Sequence, residues 1–284
     1  MRYTLKQMQE LFPDNDSCLQ MLFESRYGDI KACPGCGVVQ PKYYRIKSRM
    51  AYQCKECRHQ IHPLVGTIFE KTTTPLVYWF HVLYLFSVSK NGVSAKEIER
   101  QVEVSYKTAH RMCKQVRRLM QENSMLGGSG KPIEMDEAYV GGKRKQVEKD
   151  RKTPLLAVVE GGEQVRTAVV PRADSNNAVP FLENNVFYGS VLHTDESKIY
   201  KAKKVQTYYR HATVNHFQKE FVKHGVTTNH VENFFGQFKR SLDGTFHAVS
   251  PYYLGLYASE FAYRYSHRRE QIFPLLLARA AQRV

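Results

Sequence analysis

Thr228-Asn229-His230-Val231-Glu232-Asn233-Phe234-Phe235-Gly236-Gln237-Phe238-Lys239-Arg240 reads as a helix with one narrow apolar stripe. At about 100° per residue, Val231, Phe234, Phe235, Phe238 and Leu242 share a line that needs a core to cover it. Glu232 and Lys239 share a second line beside the stripe, about 10 Å apart along the axis. A carboxylate at the edge of a buried surface is costly unless something positive meets it. A metal ion would meet it, and the lysine further along could hold a polyanion. Two solvated charges on a surface helix explain the same spacing, so the remaining segments decide between these readings.

Leading into and through this helix, residues 198–240 contain nine Lys or Arg and only two acids, Glu220 and Glu232. Before them, Val191-Leu192-His193-Thr194-Asp195 reads as a strand with an acid at its end, and Asn176 to Asn184 as a helix. Leu155 to Val159 and Val165 to Val170 read as strands joined through Gly161-Gly162. Ile133-Glu134-Met135-Asp136-Glu137-Ala138-Tyr139-Val140 alternates like a strand and ends at Gly141-Gly142. Downstream, Ser250-Pro251 opens a last helix with Leu254, Tyr257, Phe261 and Tyr265 on one face. Three strands, a helix, a strand and then helices make an α/β layer with a mixed sheet.

That order brings three acids into view: Asp136 mid-strand, Asp195 at a strand end and Glu232 on a helix edge. With three strands first, the first and fourth strands can be neighbours and the glutamate helix can pack across them. Three carboxylates in a basic surround would bind Mg²⁺ or Mn²⁺ and leave positions open for phosphate oxygens. Two such ions would activate a water or a 3′-hydroxyl and steady the leaving oxygen of a phosphodiester. Glu137 is turned to the opposite face by strand alternation. Three unrelated surface acids would show the same spacing.

The N-terminal half has a different texture. Residues 1–30 read as a helical lead-in. Cys33-Pro34-Gly35-Cys36 and Cys54-Lys55-Glu56-Cys57 are two CxxC turns separated by seventeen residues. Tyr43 to Ile46 and Met50 to Gln53 between them read as a hairpin around Lys47-Ser48-Arg49. Four thiolates at that spacing give the tetrahedral geometry of structural zinc, with no position left open; two redox CxxC motifs are the competing reading. Arg45, Lys47, Arg49, Lys55 and Arg58 make this module basic. Cys18 and Cys113 fit no ligand spacing and read as buried thiols. Leu76 to Val88 reads as a core helix with Thr74 as N-cap and Pro75 in its first turn.

Residues 93–120 read as a helix-turn-helix. Ser94 and Glu97 form a capping box, Val102-Glu103-Val104 is the turn and Ser105 caps the second helix. Ala109, Met112, Val116 and Leu119 or Met120 share one face of that helix. Lys107, Arg111, Lys114 and Arg118 share the opposite one, as a helix lying against DNA requires. A solvated basic face on a bundle helix is the plainer reading. Gly127-Gly128-Ser129-Gly130 reads as a linker, which sets the expected modules at residues 1–70, 71–126 and 131–284.

The chain has 284 residues and a formal net charge of +15. The charge is spread over both halves, which points to a polyanion, most simply nucleic acid, rather than to a basic tail on a neutral enzyme. The N-terminus lacks a signal-peptide pattern and the longest apolar run, broken by His81, is too short to span a bilayer. The expectation is a cytoplasmic protein, nucleoid-associated when bound to DNA, with reduced cysteines and no membrane contact.

Several stretches together resemble the zinc-ribbon DDE transposases of bacterial insertion sequences, the group related to the Merlin elements. They are the four-cysteine ribbon, Val93-Ser94-Ala95-Lys96-Glu97, Tyr106-Lys107-Thr108-Ala109, Glu134 through Lys143, His193-Thr194-Asp195 and Asn229 through Arg240. Gly244-Thr245-Phe246-His247 and Glu260-Phe261-Ala262-Tyr263-Arg264-Tyr265 complete them. The resemblance implies an RNase H-like catalytic domain preceded by the zinc ribbon and the helix-turn-helix. It implies that Asp136, Asp195 and Glu232 form the metal-binding triad. Lys239 then stands where the family has a DNA-contacting lysine, and Arg240 beside it is grouped with the DNA-binding residues. Some relatives carry Asn as the third triad residue; here Glu232, rather than the adjacent Asn233, fits the helix geometry. Phe235 stands where many relatives have tryptophan. The implied activity is binding of element ends, followed by divalent-metal-dependent cleavage and strand transfer by a homodimer or larger assembly on DNA. The alternatives are a DNA-binding regulator derived from a transposase but inactive, and a tyrosine recombinase suggested by Tyr265-Ser266-His267-Arg268-Arg269. The acidic set argues against the first, and the purely local basic cluster against the second.

Overall fold

The computed structural model describes residues 3–141, 152–214 and 226–282. Gly142 and Lys143 of the sequence motif, and residues 215–225 of the basic region, lie outside them. The chain divides into two compact units, one made of 1–89, 95–119 and 271–284, the other of 90–94 and 120–270.

In the first unit, α1 (Leu5–Leu11) opens with a capping box between Thr4 and Gln7, and α2 (Asn15–Tyr27) is capped by Asp14 and Ser17. A small antiparallel sheet follows: β1 (Tyr43–Ile46), β2 (Ala51–Cys54) and β3 (Gln60–Ile61). It is tied to α2 by stacking of Phe23 on Tyr52, with ring centroids 4.1 Å apart, and by a 2.9 Å ion pair between Arg45 and Asp16. The core helix α3 (Leu76–Val88) buries Trp79, Phe80, Leu83 and Phe86. It starts one residue later than the sequence suggested. Pro75 occupies the cap position, where it has no side chain to accept the free N–H groups, and Thr72 rather than Thr74 organises the entry by accepting the Trp79 indole N–H at 3.0 Å. Next come α4 (Ala95–Val102) and α5 (Tyr106–Leu119), joined by a three-residue turn in which Glu103 has φ +52°. Ser105 Oγ accepts the N–H of Thr108 at 3.3 Å and so caps α5.

The second unit holds a five-stranded sheet of β4 (Ile133–Val140), β5 (Thr153–Glu160), β6 (Gln164–Val169), β7 (Val191–Asp195) and β8 (Arg210–Val214), in the order β6-β5-β4-β7-β8. β4, β5 and β6 form an antiparallel meander; β7 and β8 run parallel to β4. The first and fourth strands of this sheet are therefore neighbours, as the sequence order allowed. α6 (Ser175–Asn185), a 3₁₀ turn over Lys198–Lys201 and α7 (Lys203–Tyr208) accompany the face carrying Ile133, Met135, Leu156, Val158 and Leu192. The other face carries Ala138, Leu155, Ala157 and Val159 under α8 (Asn229–Ser241) and α9 (Pro251–Ser266), whose Val231, Phe234, Phe238, Leu254 and Phe261 complete the second core. A π-helical turn, Leu242–Phe246, follows α8 directly.

Several elements are additional to the sequence reading: β3, the 3₁₀ turn, α7, β8 and α10. β8 is an edge strand within the stretch read only as basic. α10 (Ile272–Ala281) follows the helix read as the last one and belongs to the first unit, where it packs on α3. The glycine stretch 127–130 lies inside the second unit. Gly127 sits there at φ +98°, where an added Cβ would collide with Ser190 Oγ, so this segment is docked rather than a loose connection. No helix among the described residues is long and apolar enough to cross a membrane.

Candidate active site

The apolar stripe of α8 is what places its acid. Val231, Phe234, Phe235 and Phe238 are buried against β4, β5 and α9, which leaves Glu232 exposed in the first turn and Lys239 and Arg240 exposed in the last. Asp136 faces the same side of the sheet as Ala138, toward α8. β7 pairs with β4 in parallel, with Glu134 opposite His193 and Ile133 opposite Leu192. Continued by two residues, that register puts Asp136 opposite Asp195. The ladder stops before reaching them, so the two acids stand where β4 and β7 part, Asp136 midway along β4 and Asp195 at the carboxyl end of β7.

The first turn of α8 brings Glu232 to this point. Thr228 Oγ1 donates to Glu232 Oε1 at 2.8 Å, and the Glu232 N–H reaches Thr228 O at 3.0 Å. Asp195 accepts the N–H of Ser197 at 3.0 Å, and Asp136 accepts the N–H of Glu137 at 2.8 Å. Burial pushes the Asp136 carboxyl up to about 7; Glu137, Asp195 and Glu232 add to the push, and only the Glu137 N–H opposes it. Asp195 and Glu232 thus both lie within electrostatic reach of Asp136. Asn233 beside Glu232 accepts from Gln237 at 2.5 Å.

Glu137 projects to the opposite face, as alternation requires, and accepts the hydroxyl of the fully buried Tyr200 at 2.5 Å. Burial holds its carboxyl above the usual range, and Asp195 reinforces the shift. Sequence reasoning overlooked Glu134. It has the same strand parity as Asp136, it is 1% exposed, and parity was the signal that could have found it.

The acids do not form a closed cage. Among the described residues, the one group of three or more His, Cys, Asp or Glu whose ligand atoms all lie within 4.8 Å is Cys33, Cys36, Cys54 and Cys57. Gly35 lets the first turn close there, because a Cβ at that position would meet the His59 side chain at 2.6 Å. Cys18 and Cys113 are buried elsewhere, and burial pushes the Cys18 thiol up to about 12. On α5, Lys107, Arg111 and Arg118 are exposed and Lys114 is half-buried, opposite the buried Ala109, Met112 and Val116. Arg117, the fifth cation, is buried with its guanidinium 5.4 Å from the ring centre of Phe86.

A mixed sheet in the order β6-β5-β4-β7-β8, preceded in the chain by a four-cysteine module, defines an RNase H-like domain with an N-terminal zinc ribbon. Residues 125–266 match the ISXO2-like transposase domain, and residues 13–60 match the transposase zinc-ribbon domain. The chain belongs to the ISXO2-like transposase family. A relative is an uncharacterized protein in transposable element ISH50 of Halobacterium salinarum, 25% identical over 75% of this chain and 78% of that protein. A similar solved structure is the catalytic core domain of BIV integrase, with 13% identity, a TM-score of 0.34, and coverage of 52% of this chain and 95% of that one.

Proposed function

We propose that this protein is a DNA transposase that binds the ends of its element, cuts them and joins the freed 3′-hydroxyl to target DNA. The observation that supports this reading is the parallel pairing of Glu134 with His193, which, carried on by two residues, sets Asp136 and Asp195 side by side, with α8 and its Glu232 packed on β4. An all-carboxylate, hard-oxygen donor set suits Mg²⁺ or Mn²⁺, and an Asp136 carboxyl pushed up by burial and by its acidic neighbours is one that a cation would return to its ionised form. Asp136, Asp195 and Glu232 would hold the ions, which when bound activate the attacking oxygen and stabilise the leaving one. Lys239 and Arg240 lie farther along the exposed side of α8 and meet the phosphate backbone. Lys107, Arg111, Lys114 and Arg118 on α5 bind the element end, as the second helix of a helix-turn-helix. Cys33, Cys36, Cys54 and Cys57 hold one structural zinc. The working form on DNA is a homodimer or larger, since two element ends must be joined. The compartment is the cytoplasm, where the DNA is.

The deciding experiment follows cutting and joining of a labelled element-end fragment with Mg²⁺, Mn²⁺ or EDTA. Asp136→Asn removes charge without changing shape and should lower cutting by about 10²–10³-fold, since charge stabilisation in the transition state is lost. End binding should stay near wild type. Lys239→Ala should slow processing more mildly. Cutting by Asp136→Asn at the wild-type rate, or cutting in EDTA, would sink the assignment; unaltered end binding without any cutting by the wild-type chain would favour an inactive regulator.

A further inference from the structure

Glu134 lies two residues before Asp136 on β4 and faces the same side of the sheet. Its side chain is 2% exposed, so its charge has to be met by groups inside the protein. Those groups come from the start of α8. Oε2 accepts the backbone N–H of His230 at 2.7 Å and that of Val231 at 3.1 Å, and Oε1 accepts from Nδ1 of His230 at 2.6 Å. His230 and Val231 are the second and third residues of the helix, where free N–H groups and the aligned peptide dipoles favour a negative charge.

Two neighbours complete the grip. His193 stands opposite Glu134 on β7 and is buried; its Nδ1 accepts the N–H of Thr227, just before the helix, at 3.4 Å. On the other side, Gly162 of the β5–β6 turn packs against the His230 ring, leaving no room there for a Cβ. Glu232 is the next residue after Val231. The sheet therefore carries two rungs on one face: Asp136 and Asp195 at the outer end, and Glu134 and His193 two residues deeper.

We propose that Glu134 is the positioning residue that sets the register of α8, and so the placement of Glu232 against Asp136 and Asp195. This rests on the reading of the three acids given above. Without Glu134, the helix keeps its apolar stripe on the core but its first turn loses the anchors that fix where Glu232 falls. Groups that orient metal-holding side chains are typically worth about 10–100-fold in metal affinity or activity.

The test uses the zinc-loaded full-length chain, Glu134→Ala and Glu134→Gln. Two quantities are read without DNA: hydrogen exchange of a peptide covering 226–234 in protein free of Mg²⁺ and Mn²⁺, and the midpoint of a Mn²⁺ titration. Glu134→Ala should speed exchange about tenfold and raise the Mn²⁺ midpoint about tenfold or more. Glu134→Gln keeps the shape and one acceptor oxygen and should shift both by less. If the alanine variant does not fold, the glutamine variant decides. Wild-type exchange and midpoint in a folded variant would overturn the proposal. So would faster exchange with an unchanged Mn²⁺ midpoint, which would leave Glu134 a merely structural role. Asp136→Asn separates the two readings: it should lose Mn²⁺ binding while exchange over 226–234 stays as in wild type. Retained Mn²⁺ binding in Asp136→Asn would remove the acid site itself, and the proposal with it.

Discussion

Among single residues, the same chemistry is arranged in two opposite ways. The four cysteines are already drawn together, with Cys33 and Cys57 sulfurs 3.7 Å apart, because two CxxC turns can aim their thiols at one point by local geometry alone. The three acids are held near one another but not closed, because each is anchored separately by Ser197, Glu137 or Thr228. Cysteines clustered this closely read as a finished structural site, and the acids do not close into one. Purified protein should contain one zinc per chain, and Cys33→Ser should lose it. Structural zinc supplies on the order of 10 kcal/mol to small modules of this kind, so the ribbon of β1 to β3 should unfold when the metal goes. Elemental analysis and proteolysis after chelation check this; a Cys33→Ser protein that keeps its zinc and resists proteolysis would refute it. The cysteine cluster was legible in the sequence because CxxC spacing alone fixes it, whereas Asp136, Asp195 and Glu232 were singled out by strand order and by the motif resemblance. Glu134 was not, since a buried acid looks like a surface acid until its donors, the N–H groups of a helix nearly a hundred residues later, are seen.

Among the helices and strands, legibility followed amphipathicity. α8 and α5 carry one apolar face each and were read nearly to their ends. β8, Arg210-His211-Ala212-Thr213-Val214, was missed because an edge strand paired on one side needs no alternating apolar face, and its polar residues read as part of a basic loop. α10 was missed because a short helix containing Pro274 follows a run of charges, and only its packing partners make it necessary. The basic face of α5 yields a prediction of its own. Replacing Lys107, Arg111, Lys114 and Arg118 together by Ala should weaken binding to element-end DNA. It should also flatten the dependence of log affinity on log salt, by roughly one for each phosphate no longer neutralised. Helicity should hold, because Ala109, Met112, Cys113 and Val116 keep the opposite face buried and Ala is the best helix former. Arg111 also lies 5.9 Å from the ring centre of Trp79, so a small loss of stability is expected from that position alone. Binding measured over a salt series decides the matter, and an unchanged slope would show that α5 does not face the phosphates.

Across the molecule, the chain returns at its end to the unit in which it began. Residues 271–284 group with 1–89 and 95–119, whereas the sequence reading kept them with the catalytic segment from 131 onward. The reason is physical. Phe273 is 2% exposed and meets Tyr3, Phe12 and Tyr84 at ring-centroid distances of 5.5, 6.3 and 5.8 Å. Leu276 and Ala280 are fully buried beside it, and Arg279 donates to Leu119 O at 2.8 Å, closing the end of α5. α2, α3 and α5 therefore lack part of their core without α10. Phe273→Ala should cost this unit about 3–5 kcal/mol, the usual loss for a buried phenylalanine. The sheet of the second unit has its own two cores, built from residues 126–262, and none of them is Phe273. Residue-resolved hydrogen exchange should then show faster exchange in α2, α3 and α5 while β4, β5 and β7 keep their protection. Equal loss of protection in both sets would mean that α10 stabilises the catalytic sheet as well, and the division at residue 270 would be wrong.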